Sequence, residues 1–414
     1  MPDRGRYGRV MPIDVTAARA ATPGCRDLIH LNNAGAALPT HDVLTTQIDY
    51  LQLEARIGGY EAYTHEQARI EQIRPTIARL IGADPSGDEV ALTVNNTAAF
   101  DLFLYSWAIS PTHAPDPGDR ILTTETEYGA NFVAYLQLAR RFGIEVEVVP
   151  SNDHGEIDLD ALEASIRRTD VGPVTLIALN HIPTNGGLIN PAAGVGAIAR
   201  EYGITYLLDA CQSAGQIPLD VDELSCDALT AAGRKFLRGP RGTGFLYVRA
   251  SILPSIEPIM LDHSTAEWLE PDHYEIDPTA RRFEQWERNH AALLGLGHAV
   301  QEALDHGLDA IATRVQGLAE TLRGRLTDDV PQATVRDLGR ERCGIVTFSL
   351  DGADLAAVHA ALRDAGINVS IVPPASALID TRKRDLPSMI RASVHYYNTE
   401  AEIDQLITEL LRLR

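Results

Sequence analysis

Asp209, Gln212 and Lys235 are the residues whose types and spacing carry the most chemistry. Asp209 follows the apolar run 204–208, which reads as a strand, so its carboxylate stands at a strand's carboxyl end, where open α/β sheets place ligands. Gln212 comes three residues later. Lys235 lies between the apolar run 227–232 and the Gly-Pro-rich turn 239–244, so its amine projects from a strand end and not from a solvated helix face. A carboxylate in that place can pair with a protonated pyridine nitrogen, the amide can reach a phenolic oxygen, and the lysine can form a Schiff base with an aldehyde. Pyridoxal 5'-phosphate (PLP) carries all three groups. The stretch therefore reads as a PLP site in which Asp209 keeps the ring cationic, an electron sink for a carbanion.

With the flanking motifs Gly233-Arg234-Lys235 and Gly239-Pro240-Arg241-Gly242-Thr243-Gly244, these residues resemble the class V aminotransferases of PLP fold type I. That group includes the cysteine desulfurases, isopenicillin N epimerase and the ergothioneine carbon–sulfur lyase. The resemblance covers nearly the whole chain. It implies an α/β fold: a large domain with a mostly parallel seven-stranded sheet flanked by helices, and a smaller α+β C-terminal domain. The expected division is an N-terminal arm at 1–30, a PLP-binding domain at 31–280 and a small domain at 281–414, with residues near 31–60 packing on the small domain.

Further residues follow from the same resemblance. It places a phosphate cradle at 93–99, with Asn96 and Thr97; a strand leading into a helix with free N–H groups is a natural anion site, although as isolated residues the two would serve as helix caps. Tyr128 stands where the family stacks an aromatic or His on the cofactor ring, and Asn131 in the same segment is assigned to substrate. The loop 180–187 lines the family's substrate pocket, with Thr184 and His181 as candidates there, the His being equally at home as a satisfied structural residue. In Ile390-Arg391-Ala392-Ser393-Val394-His395-Tyr396-Tyr397-Asn398-Thr399, Arg391 is expected to grip the substrate carboxylate, since a guanidinium fork matches a carboxylate bidentately.

The departures from the family pattern bear on the reaction. A desulfurase needs a nucleophilic Cys on a loop shortly before the carboxylate-binding Arg, and this chain has Ile371-Val372-Pro373-Pro374-Ala375-Ser376-Ala377 there. Cys25, Cys211, Cys226 and Cys343 are scattered without a C-x-x-C pair, which suggests neither a metal site nor a disulfide framework. Where many relatives carry Ser and His before the lysine, Ala232 and Arg234 stand, so a phosphate contact there shifts to Arg234 or is lost. The segment 282–289 replaces the Gly-Thr that desulfurases lend to a neighbouring subunit, and its Trp286 to Asn289 part is the candidate for contribution across a homodimer interface. Residues 54–60 look like the Glu-x-x-x-Gly-Gly-Tyr segment of the ergothioneine-type lyases, with Tyr60 facing substrate; a helix end with a packed Tyr would give the same pattern.

The expected reaction is cleavage of a carbon–sulfur bond in an S-substituted cysteine or its sulfoxide, by β-elimination through a Schiff base on Lys235. An aminotransferase and an amino-acid epimerase use the same lysine and are the alternatives. A cofactor-binding protein without catalysis is disfavoured by the intact set of Asp209, Gln212, Lys235 and Arg391.

Composition agrees. The 414 residues are 45% hydrophobic, enough for a large core in two domains. A net charge of −21 repels nucleic acid and anionic membranes and points to a small metabolite, which the resemblance makes an amino acid. Arg4, Arg6 and Arg9 precede no apolar leader region, and no run approaches the roughly 18 apolar residues of a membrane span, so a cytoplasmic location is expected, with Met1 or Met11 as the start. Strand and helix patterns alternate from 89 to 248, as βαβ units require. Helices are expected at 41–56, 61–81, 283–326, 354–365 and from 399. Strands are expected at 344–350 and near Asn368 and Arg391, and 253–278 reads as irregular.

Overall fold

The computed structural model describes residues 12–413. The choice between Met1 and Met11 lies outside them. Its main sheet has seven strands, in the order Val90–Thr93, Gly244–Val248, Ala228–Ala232, Thr205–Asp209, Val174–Asn180, Arg120–Thr124, Glu145–Val149. Gly244–Val248 runs antiparallel to both neighbours, and every other pairing is parallel. Helices cover both faces, so the central strands are apolar on both sides. Alternation along one strand shows the division: Leu176 and Ala178 meet Phe100, Phe103, Trp107 and Tyr135, from helices Asn96–Ile109 and Gly129–Phe142. Ile177 and Leu179 face the opposite layer with Leu162, Val195 and Ala199.

A second sheet is antiparallel throughout, in the order Ala333–Val335, Ile345–Leu350, Met389–Ser393, Ser370–Val372. Helices Leu308–Asp329, Leu355–Asp364 and Glu400–Arg412 pack with it. The chain's first described segment is laced to this part: Ile29–His30 pairs in parallel with Ile367–Asn368, Arg19 bonds Glu402 at 2.6 Å, and Asn33 donates to the Ser393 carbonyl at 2.7 Å. Among the described residues no helix is long and apolar enough to cross a membrane.

Three expectations about elements change. The helix expected over 61–81 is two, Gly59–Glu71 and Ile73–Leu80, because Pro75 has no N–H for the helical ladder and is tolerated only in a first turn. The helix expected from 283 begins at His290, capped by Asn289, which accepts from the Ala292 N–H at 2.9 Å. It ends at Gly307, whose φ of +81° starts a second helix, Leu308–Asp329. Residues 284–289 stay irregular because Glu284 turns inward to Arg74 (2.6 and 2.8 Å) and to the Leu92 N–H (2.8 Å). Finally, the stretch 253–278 holds a hairpin, Ala266–Glu270 with His273–Ile276.

Candidate active site

Parallel register sets Asn180, Asp209 and Thr230 side by side at the carboxyl ends of three adjacent strands. Asp209 is held on both carboxylate oxygens: Oδ1 accepts from Asn96 Nδ2 (3.1 Å) and the Cys211 N–H (2.9 Å), and Oδ2 from Asn131 Nδ2 (2.8 Å). Past Thr230 the chain turns at Gly233, where a side-chain carbon would meet Thr243 Oγ1 at 2.3 Å, so only glycine permits this approach. Arg234 and Lys235 follow at the mouth of the same sheet end. The lysine's loop is tied to the C-terminal motif, because His395 Nε2 meets the Phe236 carbonyl at 3.0 Å and Arg238 donates to the Tyr396 hydroxyl at 2.5 Å.

A cavity of about 650 Å³ opens over these groups. Asn96, Thr97, Tyr128, Thr184, Asp209, Gln212, Arg234 and Lys235 all line it, so every residue expected to touch the cofactor comes together there. Tyr128 stands at the N-terminus of helix Gly129–Phe142, half-exposed over the cavity. Gln212 makes only long bonds, 3.3 Å to the Ala34 carbonyl and 3.4 Å to Thr184 Oγ1, and its buried Oε1 has no partner. Asn95 caps helix Asn96–Ile109 through the Ala98 N–H at 2.8 Å, so the next N–H groups of this long helix face the cavity with its dipole behind them.

Arg391 lies just behind the cavity wall. Its Nη1 donates to the Thr184 carbonyl (2.9 Å) and hydroxyl (3.0 Å), and its Nη2 to Asn32 Oδ1 (3.4 Å). Among the described residues its buried Nε is without a partner, and it pairs with no carboxylate. Burial, then the neighbouring Arg234 charge, pull its pKa down to about 10. A buried guanidinium without an acid is a ready anion receptor.

Three assignments change. The Asn131 side chain is spent on two carboxylates, Asp209 and Glu127, and does not line the cavity. His181 is buried with Nδ1 unpartnered among the described residues, does not line the cofactor cavity, and is held toward its neutral form by burial, which pushes its pKa down to about 4. Tyr60 is 75% exposed and lines a separate cavity with Tyr63, Trp286 and His290; one subunit does not bring it to Lys235. Asn96, besides its place at the helix start, spends its side chain on Asp209.

Asn32 and Glu127 had no sequence signal, since neither lies in a pattern that demands burial. The desulfurase-type loop is also anchored in a way that sequence did not reveal: Lys383, just beyond it, bonds Glu125 at 2.8 Å, and the Ala375 carbonyl closes on Gly129. It carries no thiol. Cys226 and Cys343 are buried with thiols pushed up to about 12, and burial also raises Cys25 and Cys211.

The donor set fits PLP: a carboxylate for the ring nitrogen, an uncommitted amide for the phenolic oxygen, an amine, and a helix N-terminus with Arg234 and Arg241 nearby for the phosphate. Fold and site define a PLP enzyme of fold type I. The chain belongs to the aminotransferase class-V family, whose model matches residues 29–406. The family depends on PLP, and PLP is the cofactor here. A probable cysteine desulfurase of Halobacterium salinarum is 29% identical over 96% of this chain and 95% of its own. A cysteine desulfurase of Thermococcus onnurineus superposes with a TM-score of 0.87 at 26% identity, covering 97% of this chain and 98% of its own. A cystine C–S lyase solved with its product, cysteine persulfide, gives 0.83 at 24% identity over 95% and 99% of the two chains; that likeness concerns the fold alone.

Proposed function

We propose that this protein is a PLP-dependent lyase that cleaves the carbon–sulfur bond of an S-substituted cysteine, or its sulfoxide, by β-elimination. One observation carries the reading. The site residues converge while the loop that would bear a sulfur-accepting thiol has Pro373, Pro374, Ala375 and Ser376, and burial raises the four thiols that exist. The name of the relative that is 29% identical, a probable cysteine desulfurase, supports the substrate class, since such an enzyme acts on cysteine.

Bound PLP supplies the electron sink that lets Cα lose its proton and Cβ expel sulfur. Lys235 holds the cofactor and then, as a free amine, is the base at Cα. Asp209 would pair with the ring nitrogen, Gln212 would bond the phenolic oxygen and Tyr128 would cover the ring face. The N–H groups of Asn96 and Thr97 receive the phosphate, with Arg234 beside them. Arg391, steadied by Thr184 and Asn32, takes the α-carboxylate. The C–S bond breaks with its electron pair on sulfur, and water converts the remaining three-carbon unit to pyruvate and ammonia.

A homodimer completes the site in this reading. Val94, Ile259, Met260 and Trp286 are exposed apolar side chains, and the first three line a cavity that shares Val94, Asp101 and Gly242 with the cofactor cavity. A second copy is the occupant that would dry this surface, and it would bring the Trp286–Asn289 segment and Tyr60 toward a neighbouring site. The four free cysteines suit the reducing cytoplasm.

The test is a panel of S-substituted cysteines, their sulfoxides and free cysteine, assayed for pyruvate, ammonia, keto acids and alanine. Pyruvate with ammonia supports the lyase. A keto acid retaining the side chain would replace it with the aminotransferase, and alanine from free cysteine with the desulfurase.

A further inference from the structure

Behind Asp209 lies a second carboxylate, Glu127, to which the reaction above gives no task. Glu127 is 3% exposed. Its Oε1 accepts from the Tyr128 N–H (2.6 Å) and Asn131 Nδ2 (3.1 Å), and its Oε2 from Thr123 Oγ1 (2.9 Å) and the Tyr135 hydroxyl (3.1 Å). All four donors are neutral, and among the described residues no cation pairs with it. Asp209, at the end of the strand two places across the sheet with Val174–Asn180 between, is the charged group that acts on it, and Tyr135 the other titratable one. Burial first, and Asp209 next, push its pKa up to about 7.

The Asn131 amide nitrogen joins the two acids, giving one hydrogen to Glu127 and the other to Asp209 Oδ2. An amide with both hydrogens committed cannot turn. With Asn96 on Oδ1, Asp209 is locked from both sides. A buried acid held at such desolvation cost, with four donors and no cation, calls for a positive charge that the protein itself does not supply.

We propose that Glu127 is a positioning residue for the cofactor's ring nitrogen: through Asn131 it fixes the Asp209 carboxylate and adds a second buried negative charge behind it, so that a protonated ring nitrogen is held by two acids in series. This rests on the reading that Asp209 faces the ring nitrogen.

Glu127→Gln separates charge from shape. Its amide can face Thr123 and Tyr135, whose hydroxyls can rotate to accept, while its carbonyl keeps the Tyr128 and Asn131 hydrogens. Wild type and variant, reconstituted with ring-15N-labelled PLP, are followed by the 15N chemical shift across pH, with cofactor affinity from equilibrium dialysis. At an effective dielectric of about 20, a unit charge roughly 12 Å away is worth about one pH unit. The ring nitrogen of Glu127→Gln should therefore lose its proton about one unit lower, and the cofactor should bind about tenfold more weakly. Tyr135→Phe, which removes one donor and so favours the neutral acid, should shift the same titration by less, and it serves if the Gln variant does not fold. A 15N titration unchanged from wild type in a folded variant overturns the proposal. Asp209→Asn is the control: if it leaves the 15N shift unmoved, the placement of Asp209 itself fails, whereas a shift with Asp209→Asn and none with Glu127→Gln removes Glu127 alone.

Discussion

Arg391 donates twice to Thr184, to its carbonyl at 2.9 Å and its hydroxyl at 3.0 Å, and through that contact the C-terminal antiparallel sheet reaches the rim of the cofactor cavity on the parallel one. Thr184 also meets Gln212 at 3.4 Å. The groups assigned to the substrate carboxylate and to the cofactor's phenolic oxygen thus share one threonine.

Arg391→Ala should lower kcat/KM by roughly 2 to 4 kcal/mol, about one and a half to three powers of ten, because a charge-assisted bidentate contact is lost. Cofactor affinity should be largely kept. Steady-state kinetics beside a PLP titration checks this, and an unchanged kcat/KM would remove Arg391 from the site.

Lys235 predicts a yellow protein whose visible band is bleached by borohydride, with the cofactor then fixed covalently on Lys235. Peptide mass mapping locates the adduct. A reducible band that persists in Lys235→Ala would assign the bond to another residue.

The cysteines are tested by substitution and not by alkylation, because Cys211 lines the cavity and a blocking group there would obstruct it without having been a nucleophile. With Cys25, Cys211, Cys226 and Cys343 all replaced by Ala, pyruvate release from an S-substituted cysteine should stay within about threefold of wild type. Loss of turnover in a folded variant that keeps its PLP band would return the thiol-dependent desulfurase.

His181 makes the apoprotein acid-sensitive. Its folded pKa of about 4 lies below the unfolded value near 6.5, so its contribution is fully present above about pH 6.5 and is lost as pH falls toward 4. Glu127, raised to about 7, acts oppositely: its contribution is present below about pH 4.5 and is lost as pH rises to 7. Comparison with single variants isolates each. Between about pH 7 and 4.5, His181→Asn should lose on the order of 2 kcal/mol less stability than wild type in urea unfolding. Parallel curves would place a charged His181 in the native state.

A homodimer is expected at micromolar concentration by light scattering, with exchange protection over Val94, Ile259, Met260 and Trp286. A fully active monomer contradicts the shared site.

What sequence made legible rests on local physics. The strand ending at Asp209 and the strand before Lys235 follow from short apolar runs, the strand bearing Arg391 from the motif around it, and the structure builds all three. The helices expected at 41–56 and from 399 appear as His41–Ile57 and Glu400–Arg412, and the structure adds a capping box at Thr399 to the second. The helix expected from 283 starts only at His290 because Glu284 prefers the buried Arg74 to solvent, a partner 210 positions away.

By itself, the sequence determined the cofactor chemistry, since an acid, an amide and an amine at fixed offsets on strand ends suffice to specify it. Tertiary structure alone decided that Asn131 and Asn96 serve Asp209, that Tyr60 stands apart from Lys235 within one subunit, and that Asn32 supports Arg391. Each of those outcomes is a contact between segments distant in the chain. Residue type states what a side chain can donate or accept, but only the packing of sheet on helix decides which partner is within hydrogen-bond reach.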